Sequence, residues 1–248
     1  MDIKNSWLFK KPIAHRGLHN SELPENSLGA IENAAINGYP IEIDIRITDD
    51  GEIVVFHDDK LTRMTNQDGY VCNYNAQTLK EFFLLKADGK RSDYTIPTFE
   101  DVLSTVNGKV PLLIELKNSA KVGAFENKVI TMLHSYKGEY AVQSFNPYSL
   151  GYFKDNAPEI LRGQLSCFFC KNELSGFFKR RILKKLKLNK ISKPDFIAYR
   201  FSDLPNKYVT KCNLPVLAWT IKSNADYEAA KQYCDNIIFE KYTPDEVE

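Results

Sequence analysis

Charge of one sign is what this sequence most lacks: 33 lysines and arginines stand against 32 aspartates and glutamates in 248 residues, a formal net charge of +1. A chain so balanced has no overall affinity for polyanions, which argues against a nucleic-acid partner. Cysteine is scarce, with five residues and no framework spacing, as expected of a chain kept in a reducing compartment. Cys167-Phe168-Phe169-Cys170 has no second pair or histidine at zinc spacing, so two packed or half-buried thiols are expected there. No apolar run reaches the length of a membrane span, and Trp7-Leu8-Phe9 in the polar residues 1–11 is too short for a signal peptide. A cytoplasmic protein is the expectation. Gly/Ser-rich, Pro-rich and low-complexity stretches are missing, as are repeats at solenoid periods. With 43% apolar content, residues 1–248 read as one domain of barrel size.

What is present is a concentrated set of charged residues inside apolar runs. Ile41-Glu42-Ile43-Asp44-Ile45-Arg46 alternates strictly, the pattern of a β-strand, with Glu42, Asp44 and Arg46 sharing one face. Two carboxylates one strand step apart, about 6–7 Å between α-carbons, can grip one hard cation, although the same alternation also describes a strand with a solvated face. His15-Arg16-Gly17 lies upstream and His57-Asp58 downstream. A third run, Pro111-Leu112-Leu113-Ile114-Glu115-Leu116-Lys117, again sets Glu115 and Lys117 on one face. Charge inside such a run is costly to bury unless it is paired or metal-bound. These strand ends suggest one site, with two histidines able to exchange protons near neutral pH.

The sequence resembles the glycerophosphodiester phosphodiesterase family. The resemblance is carried by Ile13-Ala14-His15-Arg16-Gly17, Pro24-Glu25-Asn26-Ser27, Glu42-Ile43-Asp44-Ile45-Arg46-Ile47-Thr48-Asp49-Asp50-Gly51, Val54-Val55-Phe56-His57-Asp58 and Ile114-Glu115-Leu116-Lys117. Order and spacing match, and looser similarity at Gln143-Ser144-Phe145 and Ala218-Trp219-Thr220-Ile221 extends it towards the C-terminus. Phe239-Glu240-Lys241-Tyr242 departs from the family, in which an aspartate is usual. The resemblance implies an α/β fold, a (β/α)8 barrel, and hydrolysis of glycerophosphodiesters to sn-glycerol 3-phosphate and an alcohol. In that reading the substrate's own glycerol hydroxyl attacks and a cyclic phosphate forms first. Glu42, Asp44 and Glu115 would hold one divalent cation, Mg²⁺ or Ca²⁺. Arg16 and Lys117 would contact phosphate, and His15 and His57 would be the acid and base in an order left open. Trp219 and Phe145 would line the substrate pocket or simply pack the barrel. Two other readings stand beside it: a lysophospholipase D-like hydrolase of lipid diesters, and a catalytically silent phosphate-binding barrel. The silent barrel is disfavoured because the full set of histidines, carboxylates and cations is present.

Nine short apolar runs alternate mostly with helix-like segments, which predicts a parallel sheet. A doubly wound sheet fits the periodicity as well as a barrel does, and the resemblance decides for the barrel. Helices are expected over residues 27–37 with Asn26 as N-cap, 98–105, 124–135 and 224–233. Thr48-Asp49-Asp50-Gly51 predicts a hairpin joining residues 41–47 to 53–57, so one of that pair is not a regular barrel strand. Residues 59–97 form a long insertion, expected over the barrel mouth with Tyr70, Tyr74, Phe82 and Phe83 as its own small core, or else as a stabilising subdomain. Residues 177–190 predict a helix with Phe178, Ile182 and Leu186 in one stripe and a cationic face. Such a helix is either ordinary barrel packing or a peripheral contact with an anionic membrane.

Overall fold

In a computed structural model describing residues 3–118, 121–171 and 175–244, all nine expected runs form strands, and two further strands come from residues 59–97. The chain divides into two compact units, one spanning Ala14–Tyr140 and the other made of the residues before it and after it.

In the Ala14–Tyr140 unit, β1 (Ile13–His15) runs parallel to β2 (Ile41–Ile47), with His15 opposite Glu42. β3 (Ile53–Val55) returns antiparallel to β2 through the expected hairpin, where Gly51 takes the left-handed conformation (φ +77°). β4 (Phe83–Leu85) and β5 (Arg91–Thr95) make a separate antiparallel ribbon. β6 (Leu112–Leu116) is parallel to β2, and its register sets Glu115 opposite Asp44. Both faces of β2 are inside: Ile41, Ile43 and Ile45 are fully buried, and so are Glu42 and Asp44. The solvated-face reading of the alternation therefore fails, because sheets of this class are covered on both sides.

Local chemistry accounts for the turns around these strands. The helix Leu28–Ile36 is capped by Ser27, whose Oγ accepts from the Ala30 amide at 3.1 Å, and not by Asn26 as expected. Asn26 sits just outside it in the left-handed region (φ +58°) with its side chain committed elsewhere. Gly17 (φ +80°) lies against the next helix so closely that a Cβ would stand 2.7 Å from the Ala30 carbonyl carbon. The helices Phe99–Val106 and Ala124–Ser135 follow expectation, the first with a Thr98–Asp101 capping box. In residues 59–97, Tyr74 and Phe82 pack on Leu61, Val71, Leu79 and Leu84, but that cluster also contains Val54 and Phe56 from the barrel side. Tyr70 is exposed, and Phe83 lies under the Arg91 guanidinium, so the core is shared rather than separate.

The other unit contains β7 (Tyr140–Ser144), β8 (Arg162–Ser166), β9 (Phe196–Arg200), β10 (Val216–Ile221) and β11 (Asn236–Phe239), each parallel to its neighbour. Three parallel strands in one unit and five in the other are the eight of a (β/α)8 barrel. The single helix expected over residues 177–190 does not form. A helix covers Phe177–Leu183, the backbone reverses at Leu186 (φ +56°), and Leu186 turns inward against Ile197, Tyr199, Val209 and Val216. The predicted stripe is thereby split, with Phe178 exposed and Leu186 buried.

Candidate active site

The middle of β2 and the C-terminal ends of β1 and β6 bring His15, Arg16, Glu42, Asp44, Glu115 and Lys117 together within one unit. One oxygen from each of Glu42, Asp44 and Glu115 lies within 4.8 Å of the others, and all three residues are buried. Two oxygens on opposite sides of one cation are about 4.0–4.2 Å apart for Mg²⁺ and about 4.6–5.2 Å for Ca²⁺. An all-oxygen set within 4.8 Å suits a single hard divalent cation, directly at the Ca²⁺ spacing and after a slight contraction at the Mg²⁺ spacing.

Two cations neutralise part of this charge. Lys117 Nζ is 2.7 Å from Glu115 Oε1 and 3.2 Å from Asp44 Oδ1, and Arg16 Nε is 3.3 Å from Asp44 Oδ2. The Arg16 amide, presented by a left-handed residue (φ +57°), donates to Glu42 Oε2 at 3.1 Å. His15 Nε2 lies 3.9 Å from the same oxygen. Burial and the neighbouring Asp44 and Glu115 carboxylates push Glu42 well above the usual carboxylate range, against Arg16 and Lys117. Burial acts the same way on Asp44, but Lys117, His57 and Arg16 outweigh it and hold Asp44 well below that range. Burial also raises Glu115, which Lys117 only partly offsets. An excess of buried negative charge is what a divalent cation would relieve.

His57 follows β3 and is held from two sides. Its Nδ1 is 2.5 Å from Asp58 Oδ1, while Arg46 Nε donates to its backbone carbonyl at 3.0 Å. Arg63 then clamps both Asp58 and Glu25: Nε donates to Asp58 Oδ2 at 2.5 Å, and Nη2 donates to Glu25 Oε1 at 2.7 Å. Glu25 Oε1 also accepts from Arg16 Nη1 at 2.7 Å. An unbroken line of charge therefore runs from Asp44 through Arg16, Glu25, Arg63 and Asp58 to His57.

Asn26, Glu25, Asp58 and Arg63 were not expected as site residues. Asn26 Nδ2 donates to Asp44 Oδ2 at 3.0 Å, fixing the orientation of that carboxylate. Glu25, Asn26 and Asp58 lie inside the quoted motifs, so the signal for them was there, whereas nothing local marks Arg63. Trp219 belongs to the other unit, within β10, with Phe145 edge-on at 5.7 Å and Arg200 at 5.5 Å from its ring centre. His134 lies on a helix surface, and of the two thiols expected to be packed or half-buried Cys167 is buried but Cys170 is exposed.

Comparison with known proteins agrees with this geometry. The family model described as the glycerophosphoryl diester phosphodiesterase family matches residues 15–242. The chain is 36% identical over 162 residues to a glycerophosphodiester phosphodiesterase of Bacillus altitudinis, a match covering 60% of this chain and 64% of that protein. A second, from Caldanaerobacter subterraneus, is 35% identical over 159 residues, covering 62% of this chain and 65% of the relative. The chain thus spans somewhat less than two thirds of the length of these curated relatives. Among solved structures, a phosphodiesterase of Oleispira antarctica in complex with the product sn-glycerol 3-phosphate superposes with a TM-score of 0.75 at 25% identity over 92% of each chain. A structure from Silicibacter pomeroyi, at 19% identity, gives a TM-score of 0.78 over 92% of this chain and 89% of its own, which shows the fold. The barrel and the family motifs thus coincide over nearly the whole sequence, and the chain belongs to the glycerophosphoryl diester phosphodiesterase family.

Proposed function

We propose that this chain is a metal-dependent phosphoric diester hydrolase that cleaves glycerophosphodiesters to sn-glycerol 3-phosphate and an alcohol. The observation that carries the proposal is the buried oxygen triad of Glu42, Asp44 and Glu115, flanked by two cations and two histidines. A solved relative at 25% identity holds sn-glycerol 3-phosphate, in keeping with that product. Glu42, Asp44 and Glu115 would hold one Mg²⁺ or Ca²⁺, which when bound withdraws charge from a phosphoryl oxygen.

The chain's own groups do the rest. Arg16 and Lys117 offer positive charge to the phosphate, Arg16 through a planar fork suited to two oxygens. His57, oriented by Asp58, and His15, beside Glu42, are the pair that takes a proton from the attacking hydroxyl and returns one to the leaving oxygen. With the substrate's glycerol hydroxyl as attacker, a cyclic phosphate precedes the free product. Trp219 is proposed as a substrate contact. No described helix is long and apolar enough to cross a membrane, and a cytoplasmic setting with a small diester as substrate completes the reading.

The test is release of glycerol 3-phosphate from glycerophosphocholine by purified protein. EDTA should abolish it, added Mg²⁺, Ca²⁺ or Mn²⁺ should restore it, and Glu42→Ala should remain inactive with every metal. Release that survives both EDTA and Glu42→Ala would overturn the metal assignment. No release from glycerophosphocholine but cleavage of lysophosphatidylcholine would move the substrate to the lipid class.

A further inference from the structure

Residues 175–194 carry eight lysines and arginines and no acidic residue, in a chain whose net charge is only +1, so the rest of the chain is net negative at −7. The helix Phe177–Leu183 inside this stretch buries none of its residues. Phe177 and Phe178 are 62% and 78% exposed, and Ile182, one turn beyond Phe178, is 38% exposed. Two adjacent phenylalanines left in water on a short helix are an unsatisfied apolar surface, since each could bury a large area against a suitable partner.

The cations around them are arranged, not scattered. Lys184 Nζ lies 5.1 Å from the ring centre of Phe168, and Lys185 Nζ lies 5.5 Å from that of Tyr208. Phe168, Phe177, Arg181, Lys184, Lys185 and Tyr208 line a cavity of about 320 Å³, with aromatic walls and a cationic rim. Phe169 belongs to the same wall and packs edge-on against Phe145 at 5.8 Å, next to the end of β7. The surface therefore stands at the C-terminal ends of the strands of its unit, the end at which (β/α)8 enzymes keep their active sites.

We propose that this surface docks the protein on an anionic lipid bilayer. Phe177, Phe178 and Ile182 would enter the interface while Arg181, Lys184 and Lys185 meet lipid phosphates. The apolar trio favours lipid over nucleic acid, because a bilayer accepts exposed aliphatic and aromatic groups together with cations at one depth. The split of the stripe at Leu186 suits this reading. Leu186 anchors the segment to the unit's core and leaves a short helix to lie on the membrane. This inference concerns location and is separate from the diester chemistry.

The experiment is co-sedimentation of the full chain with vesicles of phosphatidylcholine alone and of phosphatidylcholine with phosphatidylglycerol, at about 0.1 M and 0.5 M salt. Binding to the anionic vesicles only, weakened by salt, is expected. Phe177→Ser with Phe178→Ser, and separately Lys184→Glu with Lys185→Glu, should each lower the partition coefficient at least about tenfold. Turnover of a soluble diester should be unchanged in both, which also shows that the variants fold. Equal binding to neutral vesicles, no binding, or binding unaffected by either double variant would overturn the proposal. So would single-stranded RNA that binds at this surface and outcompetes the vesicles.

Discussion

Replacing Lys117 by Met tests the electrostatics of the site without touching a carboxylate. Lys117 is close to buried, its side chain 14% exposed, and it lies 2.7 Å from Glu115 and 3.2 Å from Asp44, whose side chains are almost wholly covered. Breaking a buried ion pair by removing one partner costs about 3–5 kcal/mol. The lower end applies here, because Arg16 at 3.3 Å and the Asn26 amide remain on Asp44. At about 2–4 °C per kcal/mol for a chain of this size, 3 kcal/mol lowers the melting temperature by about 6–12 °C in EDTA. A divalent cation offers the same three carboxylates a replacement charge, so added Mg²⁺ or Ca²⁺ should raise the variant more than the wild type and narrow the gap. Burial lowers the Lys117 pKa, but Asp44 and Glu115 outweigh that and leave it raised. Its contribution is then complete below the unfolded lysine pKa of about 10.4 and lost only as pH rises above it. Thermal melts of both proteins with EDTA and with metal decide the matter. Equal melting temperatures in EDTA, or an equal rise of both with metal, would refute this account.

Much of the site was legible because its motifs lie on strands. Alternation in Ile41–Ile47 placed Glu42 and Asp44 on one face, and the parallel register with β6 then set Glu115 beside Asp44. What alternation does not reveal is whether the polar face meets water or a closed interior, and here it meets the interior. Asn26 shows a local rule losing to a distant partner. An asparagine before a helix is a good N-cap, but Ser27 can cap as well, and Asn26 serves Asp44, 18 residues away. The β4–β5 ribbon had a readable sign in Asp88-Gly89, where Gly89 adopts φ +79° and the Lys86 amide donates to the Lys90 carbonyl at 2.8 Å. The helix Pro147–Asn156 was likewise signalled by Asn146 followed by proline. The break at Leu186 had no local sign, because helical spacing cannot show that one residue of a stripe faces a core and another faces outward. Arg63 was invisible for a related reason: its partner Glu25 is 38 residues distant.

His57→Ala should lower turnover about 10²–10⁴-fold with little change in KM, as loss of a general acid or base does; steady-state kinetics giving near-normal kcat would remove His57 from the mechanism. Timed alkylation followed by peptide mass spectrometry should label exposed Cys72 and Cys170 first. Buried Cys167 should lag, as should Cys234, whose thiol burial and Asp235 push up to about 12. The remaining prediction concerns Arg63, which touches no expected substrate atom and acts through Asp58. Burial would raise Asp58, but hydrogen bonds from His57 and Arg63 hold it far below its usual range, so it stays ionised and keeps the His57 ring in place. Without Arg63 the Asp58 carboxylate loses two donors, at 2.5 and 3.0 Å, and Glu25 loses its second guanidinium. Arg63→Ala should then reduce kcat about 10–100-fold, the scale of a misplaced catalytic group, while KM changes little. Lysine can reach one carboxylate but not clamp two, so Arg63→Lys should recover only part of the rate. A role in stability alone would leave kcat per folded molecule unchanged at a temperature well below the variant's melting point, and that result would break the link from Arg63 to His57.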